Sequence, residues 1–182
     1  MNTLNFIAHL VTLPGAYIHT FWERIFANML NITVTDAHFL TKDANAGHIR
    51  HNKADVGKLI LYSLLTEVVC LITGVPLFAF GYAMLGHFGV VPREGGLLLF
   101  IPAVIALYIG TSLLANLYPS RQDARAIWRG VAQSKSAAVK LFGYPLAAVL
   151  NFGAFCESIG LATLGLLGYL AVYFLIYVFE KV

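Results

Sequence analysis

The sequence predicts an all-α integral membrane protein of four to five hydrophobic helices, with a short surface β-hairpin and one interfacial amphipathic helix. Three observations predict it. Of the 182 residues, 59% are hydrophobic and 12% charged, about half the roughly 25% charged that an ordinary soluble domain carries. The mean hydropathy of +0.75 and 13% aromatic residues exceed what a surface in contact with water tolerates. Residues 95–120 and 158–179 run for 26 and 22 residues without a charge, enough for the ~20 that a helix needs to cross about 30 Å of hydrocarbon. With no internal repeat or linker, residues 1–182 read as a single polytopic membrane domain.

The elements follow in order. Residues 1–13 hold no Lys or Arg and no small-residue cleavage pattern, so no cleavable signal is expected. Residues 4–30 read as a membrane-embedded helix with a polar stripe, since Phe6, Ile7, Leu10, Val11, Ile18, Phe21, Ile25, Phe26 and Met29 dominate over His9, His19, Glu23 and Arg24. Residues 33–52 change texture, with β-branched Thr33, Val34 and Thr35 and then Asn45, Ala46 and Gly47, which predicts a hairpin at the membrane surface. Residues 59–88 are apolar apart from Glu67 and carry Gly74 and Pro76, a long or kinked span. Residues 95–120 form the next span. Residues 141–156 hold Gly143 and Pro145 and are either a span or half of a broken pair with 158–179.

Between the spans, Ala124, Ile127, Trp128 and Val131 recur at helical spacing among Arg121, Arg125 and Arg129, so residues 120–133 should form an amphipathic helix at the interface. The basic residues gather in segments 41–58 and 120–140, whereas the 86–96 turn offers only Arg93. The positive-inside rule then places both basic segments in the cytoplasm and points to the cytoplasmic membrane as the location. A net charge of +3 is too small for a nucleic-acid footprint. Cys70 and Cys156 lie in apolar runs and read as small buried hydrophobes. The expected partners are the lipid bilayer and another membrane protein or a second copy of the chain.

An ionisable side chain inside a span costs several kcal/mol unless paired or hydrated, so His19 and Glu23 stand out. Four residues apart, they lie on one face of a helix, where they can grip one metal ion or simply hydrogen-bond to each other. Downstream, at the end of an apolar span, stand Asn116, Pro119, Ser120 and Asp123. Ser120 and Asp123 fit a Ser-x-x-Asp cap, and Asp123 is also a candidate ligand. His48 and His51 read as a solvated loop or a surface metal site. Glu157 is a proton-relay group or a residue at a helix junction.

In this order the motifs resemble the site-2 protease family of intramembrane zinc metalloproteases, over about residues 10–125. That family has an HExxH helix, a β-hairpin, two spans, and an Asn-x-x-Pro segment leading to an Asp. By this resemblance His19 matches the first His, Glu23 takes the place of the second, Asn116 and Pro119 match the Asn and Pro, and Asp123 stands for the distal ligand. The resemblance thus implies a metal site of His19, Glu23 and Asp123, with zinc as its ion and a fourth position open. Thr20 stands where the family has its catalytic Glu, and peptide hydrolysis needs a carboxylate to move the proton of metal-bound water. Glu67 is the only spare carboxylate in the next span. The expected function is a membrane-embedded metal-binding protein without proteolytic activity. The alternatives are an accessory subunit of a larger membrane complex and an active metalloprotease with altered ligands.

Overall fold

A computed structural model of the chain describes residues 10–38, 48–88 and 97–181. The start of the N-terminal stretch, the connection carrying Lys42 and the turn carrying Arg93 lie outside these residues.

Helix α1, Leu13–Met29, opens with Pro14 in its first turn, where the missing N–H is no loss and the fixed φ suits the helix. It ends as Asn31 adopts φ 53 and the Ile32 N–H closes onto the Ala27 carbonyl at 2.8 Å, a left-handed reversal that turns the chain back. Strands β1, Val34–His38, and β2, His48–His51, then pair antiparallel, with Ala37 opposite Ile49 and His38 opposite His48. The expected hairpin is there, and the first half of β2 is buried against the chain: His48 is 4% and Ile49 2% exposed, whereas Arg50 is exposed. Ile49 joins Phe26, Ala27, Ile32 and Tyr62 in one apolar cluster, and burying this surface is what pulls the strand onto α1.

Helix α2, Val56–Tyr82, is capped by the Asp55 carboxylate, which accepts from the Gly57 N–H at 2.9 Å. It runs unbroken through Gly74 and Pro76 and continues in a π-helical turn, Ala83–His87. Helix α3, Leu97–Ala115, packs along it in the most extensive helix pair of the described residues. At Gly81 and Gly110 a β-carbon would enter the backbone of the facing helix, the close approach that small residues permit between membrane helices. Helix α4, Arg121–Gln133, is followed by α5, Ala137–Ser158, and α6, Leu161–Lys181. Gly160, at φ 73, separates the last two, so residues 141–156 and most of 158–179 fall in two consecutive helices.

The molecule is predominantly helical. Among the described residues Val56–Gly86, Leu97–Ala115 and Ala137–Ser158 are long and apolar enough to cross a membrane, and α6 adds a shorter apolar stretch, Thr163–Val172. Large apolar side chains such as Ile72 and Leu98 are 69% and 83% exposed, the pattern of a surface solvated by lipid rather than water.

Candidate metal centre

The start of α1 is pinned to the end of α3. The Thr12 carbonyl accepts from the Ser112 hydroxyl at 2.7 Å and from Asn116 Nδ2 at 3.2 Å, while Ser112 Oγ accepts from the Gly15 N–H at 2.6 Å. Asn116 Nδ2 also donates to the Ser112 carbonyl at 2.8 Å. This anchor fixes how α1 enters the bundle and turns its buried face, Gly15, Ala16, His19, Thr20, Glu23, Phe26 and Ala27, inward.

His19 and Glu23 are each 1% exposed. His19 Nδ1 stands 3.8 Å from Glu23 Oε1, longer than a hydrogen bond. The pair is completed from β2. Glu23 Oε2 accepts from the Ile49 N–H at 2.8 Å, and Glu23 Oε1 lies 3.1 Å from His48 Nδ1. The two imidazole rings meet edge to face with centroids 5.0 Å apart. His19, Glu23 and His48 thus offer one ligand atom each, all within 4.8 Å of one another. Atoms bound tetrahedrally to one zinc at 2.0–2.2 Å lie about 3.3–3.6 Å apart, so the 3.1 and 3.8 Å separations on Glu23 Oε1 suit a shared ion with small side-chain shifts. Two imidazoles and one carboxylate are also a donor set that zinc accepts. This buried group can hold a metal ion.

Glu157, at the end of α5, forms the next layer. Its Oε1 lies 3.3 Å from His48 Nε2, and its Oε2 accepts from the Tyr118 N–H at 3.1 Å. A carboxylate on the far nitrogen of a histidine is the usual outer support of a metal ligand, since it fixes the tautomer and the ring. Burial pulls the His48 imidazole toward neutrality, yet the carboxylates of Glu23 and Glu157 outweigh it and hold its pKa well above the ordinary histidine value.

Asp123 is engaged elsewhere and is not part of this group among the described residues. Ser120 caps α4, its Oγ accepting from the Asp123 N–H at 3.1 Å and its hydroxyl donating to Asp123 Oδ2 at 3.0 Å. Asp123 Oδ1 lies 2.9 Å from His51 Nε2. That hydrogen bond, working against burial and helped by the Asp123 charge, pushes the His51 pKa up to about 9. The cap reading of Ser120 and Asp123 is the one seen in the structure, and the residue that stands beside His19 and Glu23 is His48 rather than Asp123. The solvated-loop reading of His48 and His51 is likewise corrected, because both imidazoles meet buried carboxylates. Glu67 is outside the group, and its buried Oε1 has no hydrogen-bond partner among the described residues.

No family model, curated protein or solved structure matches the chain. The geometry of the centre therefore carries the functional reading alone.

Sequence spacing found His19 and Glu23 because both lie on one helix. It missed His48 because the contact spans 25 residues and depends on the strand docking over α1. One signal was present: the apolar Ile49 beside His48 marks a strand with a face to bury.

Proposed function

We propose that the protein is a membrane-embedded metal-binding protein that resembles a site-2 protease and lacks proteolytic activity, holding zinc through His19, Glu23 and His48. The observation that carries this reading is the convergence of those three buried side chains within 4.8 Å. The order of elements supports the kinship, with α1 and its His-x-x-x-Glu pair followed by a hairpin, two apolar helices and the Asn116 to Pro119 segment.

The same geometry supports the loss of hydrolysis. In the site-2 protease pattern a carboxylate next to the first His takes the proton of metal-bound water. Here Thr20 has that place, Glu23 would itself be a ligand, and Glu157 stands behind His48, its Oε1 3.3 Å from the far ring nitrogen. The Thr20 hydroxyl donates to the Ala16 carbonyl at 2.8 Å and has no basic character at neutral pH. A metal in this position would clamp the hairpin to α1, stabilising the folded chain by its binding free energy.

Two measurements on the detergent-purified chain test the reading. Elemental analysis is expected to find about one equivalent of zinc, absent from a His19→Ala, His48→Ala double variant. Incubation of the zinc-loaded chain with a helical membrane substrate is expected to leave the substrate intact. A wild type without metal overturns the binding site, and cleavage abolished by Glu23→Gln overturns the inactive reading.

A further inference from the structure

Three protein ligands leave a zinc ion one short of its usual four. Among the described residues no fourth His, Cys, Asp or Glu joins His19, Glu23 and His48 within 4.8 Å. Glu157 faces the far nitrogen of His48 and the Tyr118 N–H, and Asp123 is held by Ser120 and His51. The described chain thus supplies no fourth ligand, and what takes that position depends on the polar groups around it.

One buried side chain next to Glu23 has no place in the ligand set. Tyr62 lies on the buried face of α2 with Leu59, Ser63, Thr66 and Cys70, and it is 1% exposed. Its ring packs with Phe26 and Ala27 of α1 and with Ile32 and Ile49, and it meets the His51 ring edge to face with centroids 5.9 Å apart. Tyr62 is therefore held against both elements that carry the centre, α1 with His19 and Glu23 and β2 with His48. Its hydroxyl is buried and has no hydrogen-bond partner among the described residues. Glu23 is the carboxylate that acts on it most, from the limit of hydrogen-bond reach, followed by Asp123. A buried phenol hydroxyl ordinarily finds a partner, because leaving it without one forfeits the hydrogen bonds it makes in water.

We propose that the Tyr62 hydroxyl closes the fourth position of the metal centre by hydrogen-bonding a water molecule or a small anion bound there. This rests on the metal-binding reading above. The hydroxyl serves both guests, since it accepts from a bound water and donates to a bound anion. Enclosure limits their size. His19, Glu23 and Tyr62 are each 1% exposed and His48 4%, so the position takes a ligand of few atoms and excludes an extended peptide, in keeping with a centre that does not cleave one.

Cobalt in place of zinc makes the test visible, since Co2+ accepts the same donors and reports its ligands through visible absorption. The full chain in detergent, wild type and Tyr62→Phe, is loaded with Co2+ and titrated with azide. Both proteins should hold about one Co2+ with like affinity, because phenylalanine keeps the ring packing and Tyr62 is not a ligand. Azide should shift the visible bands of both, and Tyr62→Phe should bind it about tenfold more weakly, the effect of one hydrogen bond to a charged ligand. Equal azide affinity in the two Co2+-loaded proteins overturns the proposal and leaves the metal site standing. Loss of Co2+ from a Tyr62→Phe chain that keeps its helical circular dichroism overturns it too, since the phenol is then itself a ligand. A wild type that takes up no Co2+ overturns the metal reading and this inference together. A second readout uses Zn2+, which is colourless. Loading it should perturb the near-ultraviolet tyrosine absorption of the wild type, and Tyr62→Phe should abolish the difference spectrum. No tyrosine perturbation in a zinc-loaded wild type overturns the proposal without recourse to any variant, and a perturbation that survives Tyr62→Phe unchanged does the same.

Discussion

Replacing Glu157 with glutamine keeps the length of the side chain and removes one acceptor. In the wild type the two oxygens serve two partners, Oε1 at 3.3 Å from His48 Nε2 and Oε2 accepting from the Tyr118 N–H at 3.1 Å. An amide has one acceptor oxygen. If that oxygen stays with Tyr118, the NH2 group faces His48 Nε2 and makes it the acceptor, which moves the imidazole proton to Nδ1. Nδ1 is the nitrogen 3.1 Å from Glu23 and the one positioned to ligate. If the oxygen turns to His48 instead, the Tyr118 N–H loses its acceptor and the segment before α4 loosens. Loss of an outer-shell carboxylate typically lowers metal affinity 10–100-fold, which is about 1.4–2.7 kcal/mol. We therefore expect Glu157→Gln to retain one zinc site with affinity reduced by about that factor, and Glu157→Ala to lie at or beyond its upper end. Competition against a chromophoric chelator in detergent at neutral pH measures this directly. An unchanged zinc affinity in both variants would refute the support of His48 by Glu157.

His51→Gln should destabilise the chain by about 1.5–3 kcal/mol through loss of the hydrogen bond to Asp123. Because the folded pKa of His51 is raised from 6.5 to about 9, the deficit is full below pH 6.5 and fades as pH rises through about 9; a deficit independent of pH in thermal unfolding would contradict it. Gly110→Ala forces a β-carbon into the backbone of Phe78 and should cost about 1–3 kcal/mol by overpacking, read from denaturant unfolding in detergent, whereas wild-type stability would refute the close α2 and α3 contact. Asn116→Ala removes the donor to the Thr12 and Ser112 carbonyls. Hydrogen exchange at Ala16, whose N–H donates to that Thr12 carbonyl, should accelerate, and protection equal to wild type would show that Asn116 does not anchor α1.

The helices were legible in the sequence wherever one solvent dictated them. The uncharged run 95–120 contains a helix, Leu97–Ala115, that is long and apolar enough to cross a membrane, since hydrocarbon leaves no other way to satisfy the backbone. The Ser120 cap and the periodicity of Ile127, Trp128 and Val131 are local signals, and both features are found in α4. The packing of α4 along α5 was less legible, since apolar length alone does not say what a helix packs against. The candidate centre was legible by two thirds. His19 and Glu23 share a helix, so their register is fixed by the 3.6-residue repeat. His48 reaches them only because Ile49 buries its side chain and donates its N–H to Glu23. Asp123 carried the right residue type at the right place in the order of motifs, but its position on α4 is set by the Ser120 cap and by His51.

The central claim is that His48 rather than Asp123 joins His19 and Glu23 around one ion. The most direct test is the zinc content of three purified proteins side by side: the wild type, His48→Gln and Asp123→Asn. About one equivalent is expected in the wild type and in Asp123→Asn, and none in His48→Gln. Zinc retained in His48→Gln and lost in Asp123→Asn would contradict the account, returning the third ligand to α4.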